Sequence, residues 1–478
     1  MSYQGRFLAA AASATLLLAG CGSGSASPVS TTSADYQRAY QVGLQAYTYG
    51  LPLLVTDATY QTMTSIDVSA GAFGPVNQFN NVRSPNGSGS TTVVAPGATS
   101  LSSIAWVDLQ DEVQVLHVPT VTGHSFVLAL LDPYTTNLRN LGNASSTTPG
   151  DYALVDLAHR RTPLPTGVQE IDVDCTRIWI IGSTQLKGAG DIPTVNRIQD
   201  GYTLTPLSKY GTDYVPPTPV NPVTTVMQHG VPSGIAFFDQ LGAELAAFPP
   251  PSADAAALAS FATVGIGPGM TPSTDRSLSA DTLQGLADAV SAGPAQIRTD
   301  TTQLVAQDSP KHNGYLLGGF GSYGTDYVER AVISQIGLGA FLPQQAIYAM
   351  TWSDASQKAL AGSSAYVLHL TKAPPTAEGW SLTVYTDAGA LVSGPGGRTS
   401  ALTSISPLTT NADGSIDLYL QPTAPTASAQ AANWVPTPHG QGFEVAWRLF
   451  APDSDAIPGI LDGSGWQPPQ VTPAGATS

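Results

Sequence analysis

The chain has 478 residues, 18 basic and 34 acidic, for a net charge of −16. That balance argues against nucleic-acid binding, because phosphate contacts need clustered Lys and Arg, and anionic headgroups would repel the protein. With 48 Gly and 38 Pro and 42% apolar residues, the chain is long enough for two or three domains rich in turns, which favours β architecture.

Arg6 gives a short positive head, and Phe7 to Gly20 follow as an uncharged run, too short to span a bilayer but suited to a signal-peptide core. Leu18-Ala19-Gly20-Cys21 then matches the lipobox of bacterial lipoproteins. The expectation is that residues 1–20 are a signal peptide cut before Cys21, whose thiol takes up the lipid. Two or more acyl chains would anchor the protein stably outside the cytoplasm, on the cell membrane or outer membrane, at about 0.8 kcal/mol per buried methylene. The alternative is a cleaved secretory signal with an incidental cysteine. Residues 21–34, mostly Ser, Gly, Ala and Thr, read as a flexible tether. Cys175 in IDVDCTRIWII cannot form an internal disulfide with Cys21 lipidated, and reads as a buried small hydrophobe.

From Ser33 to Leu51 the spacing of Tyr36, Tyr40, Leu44 and Tyr47 predicts a helix stopped by Gly50 and Pro52. Strand-like runs follow at 104–109, 113–118, 125–131 and 177–182, punctuated by Pro and Gly as in β-sandwiches. This places an N-terminal β-domain at 35–210 and a Pro-rich linker at 211–234. Helical periodicity at 236–248, 253–264 and 280–292, with Ser252 and Ser279 as N-caps, and a further helix from Asp326 to Gly337, place a helical domain at 235–342. Strand signals return at 366–370, 380–385, 415–420 and 443–450, giving a C-terminal β-domain at 343–478. The fold class is therefore mainly β with a helical middle.

Gly319 to Gly324 match GxGxxG, but no second strand with an acidic residue follows as dinucleotide binding requires. The seven histidines have no metal-ligand spacing, and no cofactor is implied. Asn411, Asp413, Ser415 and Asp417 alternate so that they could offer oxygens to calcium, although a hairpin turn explains the same residues.

Several stretches together, among them HGVPSGIAFFDQLGAELAAF, GSYGTDYVERA, PPTAEGWSLTVYTD, NADGSIDLYLQ, ANWVPTPHG and GWQPPQV, resemble the bacterial proteins that carry the paired domain-of-unknown-function families 1254 and 1214. The likeness runs from about Tyr36 to Val471. It implies an N-terminal immunoglobulin-like β-sandwich, a helical insert and a C-terminal jelly roll. The sequence departs from the resembled pattern at Pro96 to Ser103, where Asn, Asp and Tyr are missing, at Asn81 in place of His, and within Asn143-Ala144-Ser145 and at Ser183, each in place of Arg. These changes remove acid–base and anion-clamping groups from the N-terminal domain.

The C-terminal half keeps its polar positions. Tyr323, Asp326 and Arg330 share one helical face, and Trp380, Tyr385, Asn433, Trp434 and Arg448 fall at the family's positions. Aromatic rings beside an amide and a guanidinium suit a sugar or another small polar ligand. Alternatively Asp326–Arg330 is a buried ion pair, and Trp380 and Trp434 are core. Three functions are open: a ligand-binding envelope lipoprotein, a structural or interaction lipoprotein, and a glycan hydrolase using two of Asp108, Asp132 and Asp326. The expectation is a polar cleft near Tyr323, Arg330 and Trp434.

Overall fold

The computed structural model describes residues 33–85, 97–317 and 320–475, so Cys21 and Gly319 lie outside the described residues. The fold is mixed sheet and helix, with β-rich N- and C-terminal regions and a helical middle. It is not mainly β as expected: two helices alone run 30 and 33 residues.

The first of these, α1 (Ala34–Met63), does not stop at Gly50. Ser33 caps it by accepting from Tyr36 N. Pro52 removes one ladder bond, yet every residue from Ala46 to Leu54 is buried, and that packing carries the helix through the proline. Its partner is α5, described below with the other helices.

The N-terminal region holds β1 (Asn80–Asn81), β2 (Ser100–Asp108), β3 (Gln114–Val118), β4 (Phe126–Leu131), β5 (Asn137–Gly142), β6 (Gly150–Val155), β7 (Gln169–Asp172), β8 (Arg177–Gln185), α2 (Ile192–Asp200) and β9 (Thr203–Pro206). They form two sheets, ordered β1-β2-β8-β4-β5 and β7-β6-β3-β9. One apolar cluster joins them, with Val107, Leu128, Leu130, Ile178 and Ile180 facing Leu116, Tyr152, Leu154 and Leu204. Residues 211–234 form no helix or strand and lie along the end of α1, where Val223 N donates to Asp67 and His229 N to Thr62 Oγ1.

The helical middle comprises α3 (Ala236–Ala247), α4 (Ala255–Ala262), α5 (Ala280–His312) and α6 (Tyr327–Ile336). Ser279 caps α5 by accepting from Thr282 N, as expected. Ser252 does not cap α4; it sits inside a 3-10 turn that precedes it. α5 runs well beyond residue 292, through Pro294. Glycines bring α1 and α5 together: a Cβ on Gly285 would stand 2.6 Å from the Tyr36 carbonyl, and one on Gly43 2.8 Å from Ala289 Cβ. So α1, expected within the N-terminal β-domain, packs with the helices, in one cluster with Phe237, Phe238, Leu241, Leu286 and Val332.

The C-terminal region holds β10 (Tyr315–Leu317), β11 (Ala346–Thr351), β12 (Tyr366–Leu370), β13 (Trp380–Thr386), β14 (Ala401–Thr403), β15 (Ile416–Gln421), β16 (Trp434–Pro436), β17 (Phe443–Phe450) and β18 (Val471–Pro473). The sheets are β10-β11-β17-β13-β14 and β16-β15-β12-β18. Strand periodicity sends Val445, Trp447 and Leu449 into the cluster between them. Glu444, Ala446, Arg448 and Phe450 therefore face the other way, toward the N-terminal region. There Ala346, Tyr348 and Phe450 meet Ile104, Trp106, Val127, Ala129 and Trp179 of the five-stranded N-terminal sheet. The outer faces of the two five-stranded sheets thus close on each other. The Asn411–Ser415 segment is a turn leading into β15, with Asn411 N bonded to Ser415 O, but it joins no hairpin, because β14 and β15 belong to different sheets.

Candidate functional site

The residues named from sequence fall into three places. Trp380, Asn433 and Trp434 are structural. Trp380 lies 5.2 Å from the Trp447 ring in the C-terminal core. Asn433 accepts from Thr409 N and donates to the Thr409 and Asp417 carbonyls, so its amide is fully used. Trp434 donates from Nε1 to the Gln421 carbonyl, and Arg398 covers its ring at 5.2 Å. None of the three meets Tyr323 or Arg330, and the best-formed clefts among the described residues lie elsewhere, not near Tyr323, Arg330 and Trp434 as expected.

Arg330 is 3% exposed, but Asp326 is exposed and caps α6 by accepting from Glu329 N. The buried Asp326–Arg330 pair is therefore absent. Rings surround Arg330 instead: its guanidinium carbon is 5.1 Å from the Tyr49 centroid, 5.5 Å from Tyr134 and 5.3 Å from Tyr327. Gly321 (φ +71°) and Gly324 (φ +53°), from the glycine motif, shape the turn before α6. The β4–β5 turn closes the other side. There Thr135, a β-branched residue, takes φ +67°, held by its N–H to the Asp132 carbonyl while Asp132 Oδ1 accepts from Thr136 N. Burial raises the Asp132 carboxyl to about 6.

Arg448 has a different setting. On the outer face of its sheet it lies in register between Tyr348 and Ser381, and its guanidinium is 5.8 Å from the Tyr348 ring and 5.4 Å from Tyr385. One row along, Ala446 lies between Met350 and Thr383. The row beyond places Glu444 beside Tyr385, with Trp352 Nε1 donating to Glu444 Oε2 at 2.6 Å. Burial raises Glu444 to about 7; the Trp352 bond and Arg448 oppose that, and Asp387 adds to it. Small Ala446 sits between the acid and the guanidinium and packs with Tyr385 and Leu391. Ser381, fully buried beside Arg448, has an Oγ without a hydrogen-bond partner among the described residues. Ala98 packs against this face, touching the cluster of Tyr385, Leu391 and Ala446.

Beside this face a small cleft of about 30 Å³ opens between the two β-regions, lined in part by Asn143, Ala144, Ser183, Gln345, Glu378 and Phe450. Ser125 Oγ bonds Glu378, and Gln345 Nε2 donates to Ser145 Oγ at 2.9 Å across the junction. The sequence departures at 97–103, 143–145 and 183 thus gather on one side of a junction whose C-terminal side keeps Glu444, Tyr385 and Arg448. Glu444 was missed from sequence. Its signal was a charged residue at an even position of FEVAWRLF, where the apolar residues at 445, 447 and 449 already filled the core face.

A second group was also missed. Arg177 at the start of β8 contacts Asp57 of α1 at 2.9 Å and Glu244 of α3 at 3.7 Å, beneath the rings of Tyr60 at 4.0 Å and Phe248 at 4.6 Å. Asp57 also accepts from Gln61 and Gln240. Burial, reinforced by Asp57, raises Glu244 to about 7. Of the three expected catalytic acids, Asp108 ends β2, Asp132 sits in the β4–β5 turn and Asp326 caps α6; no shared cleft collects them. Among the described residues no cluster of three or more His, Cys, Asp or Glu could hold a metal, and Asp413 and Asp417 are engaged by Ser415 and His369. No helix among the described residues is long and apolar enough to cross a membrane.

A protein with two β-regions, a helical middle and a polar junction defines the structural class. Residues 76–206 match the family model described as protein of unknown function DUF1254, and residues 345–454 match protein of unknown function DUF1214. The chain belongs to the proteins that pair these two domains. Among solved structures it is similar to the VPA0106 protein from Vibrio parahaemolyticus, at 19% identity and a TM-score of 0.66, over 91% of this chain and 100% of that one. An uncharacterized protein from Burkholderia cenocepacia aligns over 92% of this chain and 95% of its own, at 12% identity and a TM-score of 0.42. No curated protein matches. Arg330, α1 and α3 lie outside both family matches.

Proposed function

We propose that the protein is an exported cell-envelope lipoprotein, acylated on Cys21, that holds a small polar ligand such as a glycan unit between its two β-domains. In this reading the β-domains are an immunoglobulin-like sandwich and a jelly roll, and the lipid is the membrane attachment. The observation that carries the binding role is the buried polar face over Ala446. It carries a carboxyl, a guanidinium, two tyrosines and a serine hydroxyl unpartnered among the described residues, and the small cleft between the β-regions opens beside it at Phe450. A buried hydroxyl without a partner is costly in an empty site and useful in an occupied one. Sugar hydroxyls donate and accept, and Tyr348 and Tyr385 present rings for C–H faces.

The test is a glycan array followed by calorimetry on the mature chain. Saturable sugar binding, weakened by Ser381→Ala, is expected. No binding by wild type would leave the structural or interaction role as the better account. The lipid claim is tested by mass spectrometry of the membrane fraction: an N-terminal acylated Cys21 is expected, and Cys21→Ser should move the protein to the soluble fraction.

One observation favours a second reading. Glu444, raised to about 7 with Asp387 in its field, is suited to act as a general acid in glycan hydrolysis. Glu444→Gln separates the two readings: a binding protein keeps most of its affinity, whereas a hydrolase keeps binding and loses turnover.

A further inference from the structure

Arg330 is buried without the partners that buried arginines need. Its Nε and Nη2 have no hydrogen-bond partner among the described residues, and it forms no ion pair there. The rings around it supply faces but no acceptors. Tyr49 and Tyr327 direct their hydroxyls to the two oxygens of Asp254, each at 2.8 Å, and Tyr134 directs its own to the Phe248 carbonyl at 2.7 Å. Asp254 is thereby engaged by tyrosines rather than by the guanidinium. Cation–π attraction offsets only part of the desolvation of a guanidinium.

The two unpartnered atoms are not an arbitrary pair. Nε–H and one Nη2–H point the same way along a single edge of the planar guanidinium. Two parallel donors on one edge match two oxygens of a carboxylate or a phosphate. We infer that Arg330 anchors an oxyanion site, taking the carboxylate or phosphate group of a small ligand edge-on through Nε and Nη2. The site is separate from the Glu444–Arg448 face and lies outside both family-matched segments. Tyr327 is the wall through which the ligand enters, since it is partly exposed while Tyr49 and Tyr134 are 0% and 4% exposed.

Charge at the site is set by few groups. Arg330 is faced by Tyr49 from α1, Asp132 and Tyr134 from the β4–β5 turn, Asp254 ahead of α4, and Tyr323 and Tyr327 at the entry to α6. The tyrosines are raised to about 12 or beyond and stay neutral. Asp132 is the carboxyl whose charge changes near 6. An incoming anion competes with ionised Asp132 for the same cation, so affinity rises as pH falls through about 6.

The experiment is calorimetric titration of the mature chain with inorganic phosphate and, separately, acetate, at pH 5.5 and 7.5. One-to-one binding of at least one anion is expected, tighter at the lower pH. Binding of phosphate alone identifies a phosphate source, and of acetate alone a carboxylate source. Arg330→Lys keeps the charge but loses the edge, and should weaken binding about tenfold or more. Arg330→Met should abolish binding while melting no lower than wild type in anion-free buffer. Neither anion binding, or unchanged affinity in Arg330→Lys, overturns the proposal. So does a large loss of stability in anion-free Arg330→Met, because that would reveal an internal partner.

Discussion

Two arginines sit under aromatic rings where the helices meet the N-terminal β-region, and the fold treats them oppositely. Arg177 is bonded to Asp57 and flanked by Glu244, so it ties β8 to α1 and α3. Arg330 has the same kind of ring cover and no acid in bonding range. Aromatic company is alike in the two and Arg330 is the more deeply buried; what differs most is whether the N–H groups are used. A used guanidinium holds the structure together, and an unused one is held in readiness.

The largest expected effect tests the used one. Arg177→Met leaves Asp57, which is 2% exposed, as a buried charge without its cation, and should cost about 3 kcal/mol or more in urea unfolding. An unchanged midpoint would erase the contrast with Arg330. Trp434→Ala should cost a similar 3–5 kcal/mol, because the ring is buried and its N–H is bonded inside the protein. If that variant folded normally and lost only sugar binding, the ring would belong to a ligand site after all.

A pH series sharpens the picture at the junction. Glu444 and Glu244 both have folded pKa values near 7, above the ordinary 4.5. The folded state therefore holds the proton more tightly than the unfolded one. The stabilisation is complete below about 4.5 and is lost as pH rises toward 7. Glu444→Gln should flatten that decline, by up to about 3 kcal/mol, and leave the part due to Glu244. A wild-type stability that rises from pH 4.5 to 7 would contradict both assignments.

The smallest effects should come from the unused groups. Arg330→Met is expected to match wild type or exceed it by up to about 1 kcal/mol, since replacing an unpaired buried charge by an apolar chain is often neutral or better. Ser381→Ala should likewise change stability by less than about 1 kcal/mol while weakening the ligand.

Much of the fold was legible in the chain. Apolar runs such as FVLALL and FEVAWRLF marked their strands, and Ser279 marked its helix. β5 was missed because half of NLRNLG is polar and only its last three residues are buried. The length of α1 was misread because Pro52 is a local stop signal and the packing that overrides it comes from helices nearly 200 residues away or more. The site was legible in part: Arg448 was named and Glu444, four residues before it on the same face, was not. Trp380, Asn433 and Trp434 looked like binding groups because rings and amides serve cores and ligands equally. Only their partners decide, and Asn433 finds one of its partners at Thr409, across a turn. Asp57 and Arg177 are 120 residues apart, so no local pattern could have paired them.

The junction itself is tested most directly by a crystal structure of the mature chain soaked with its tightest-binding sugar. Density for the ligand over Ala446, between Glu444 and Arg448 and against Ser381, is the result this account requires. Density beside Trp434, or on a surface away from both β-regions' facing sheets, would contradict it.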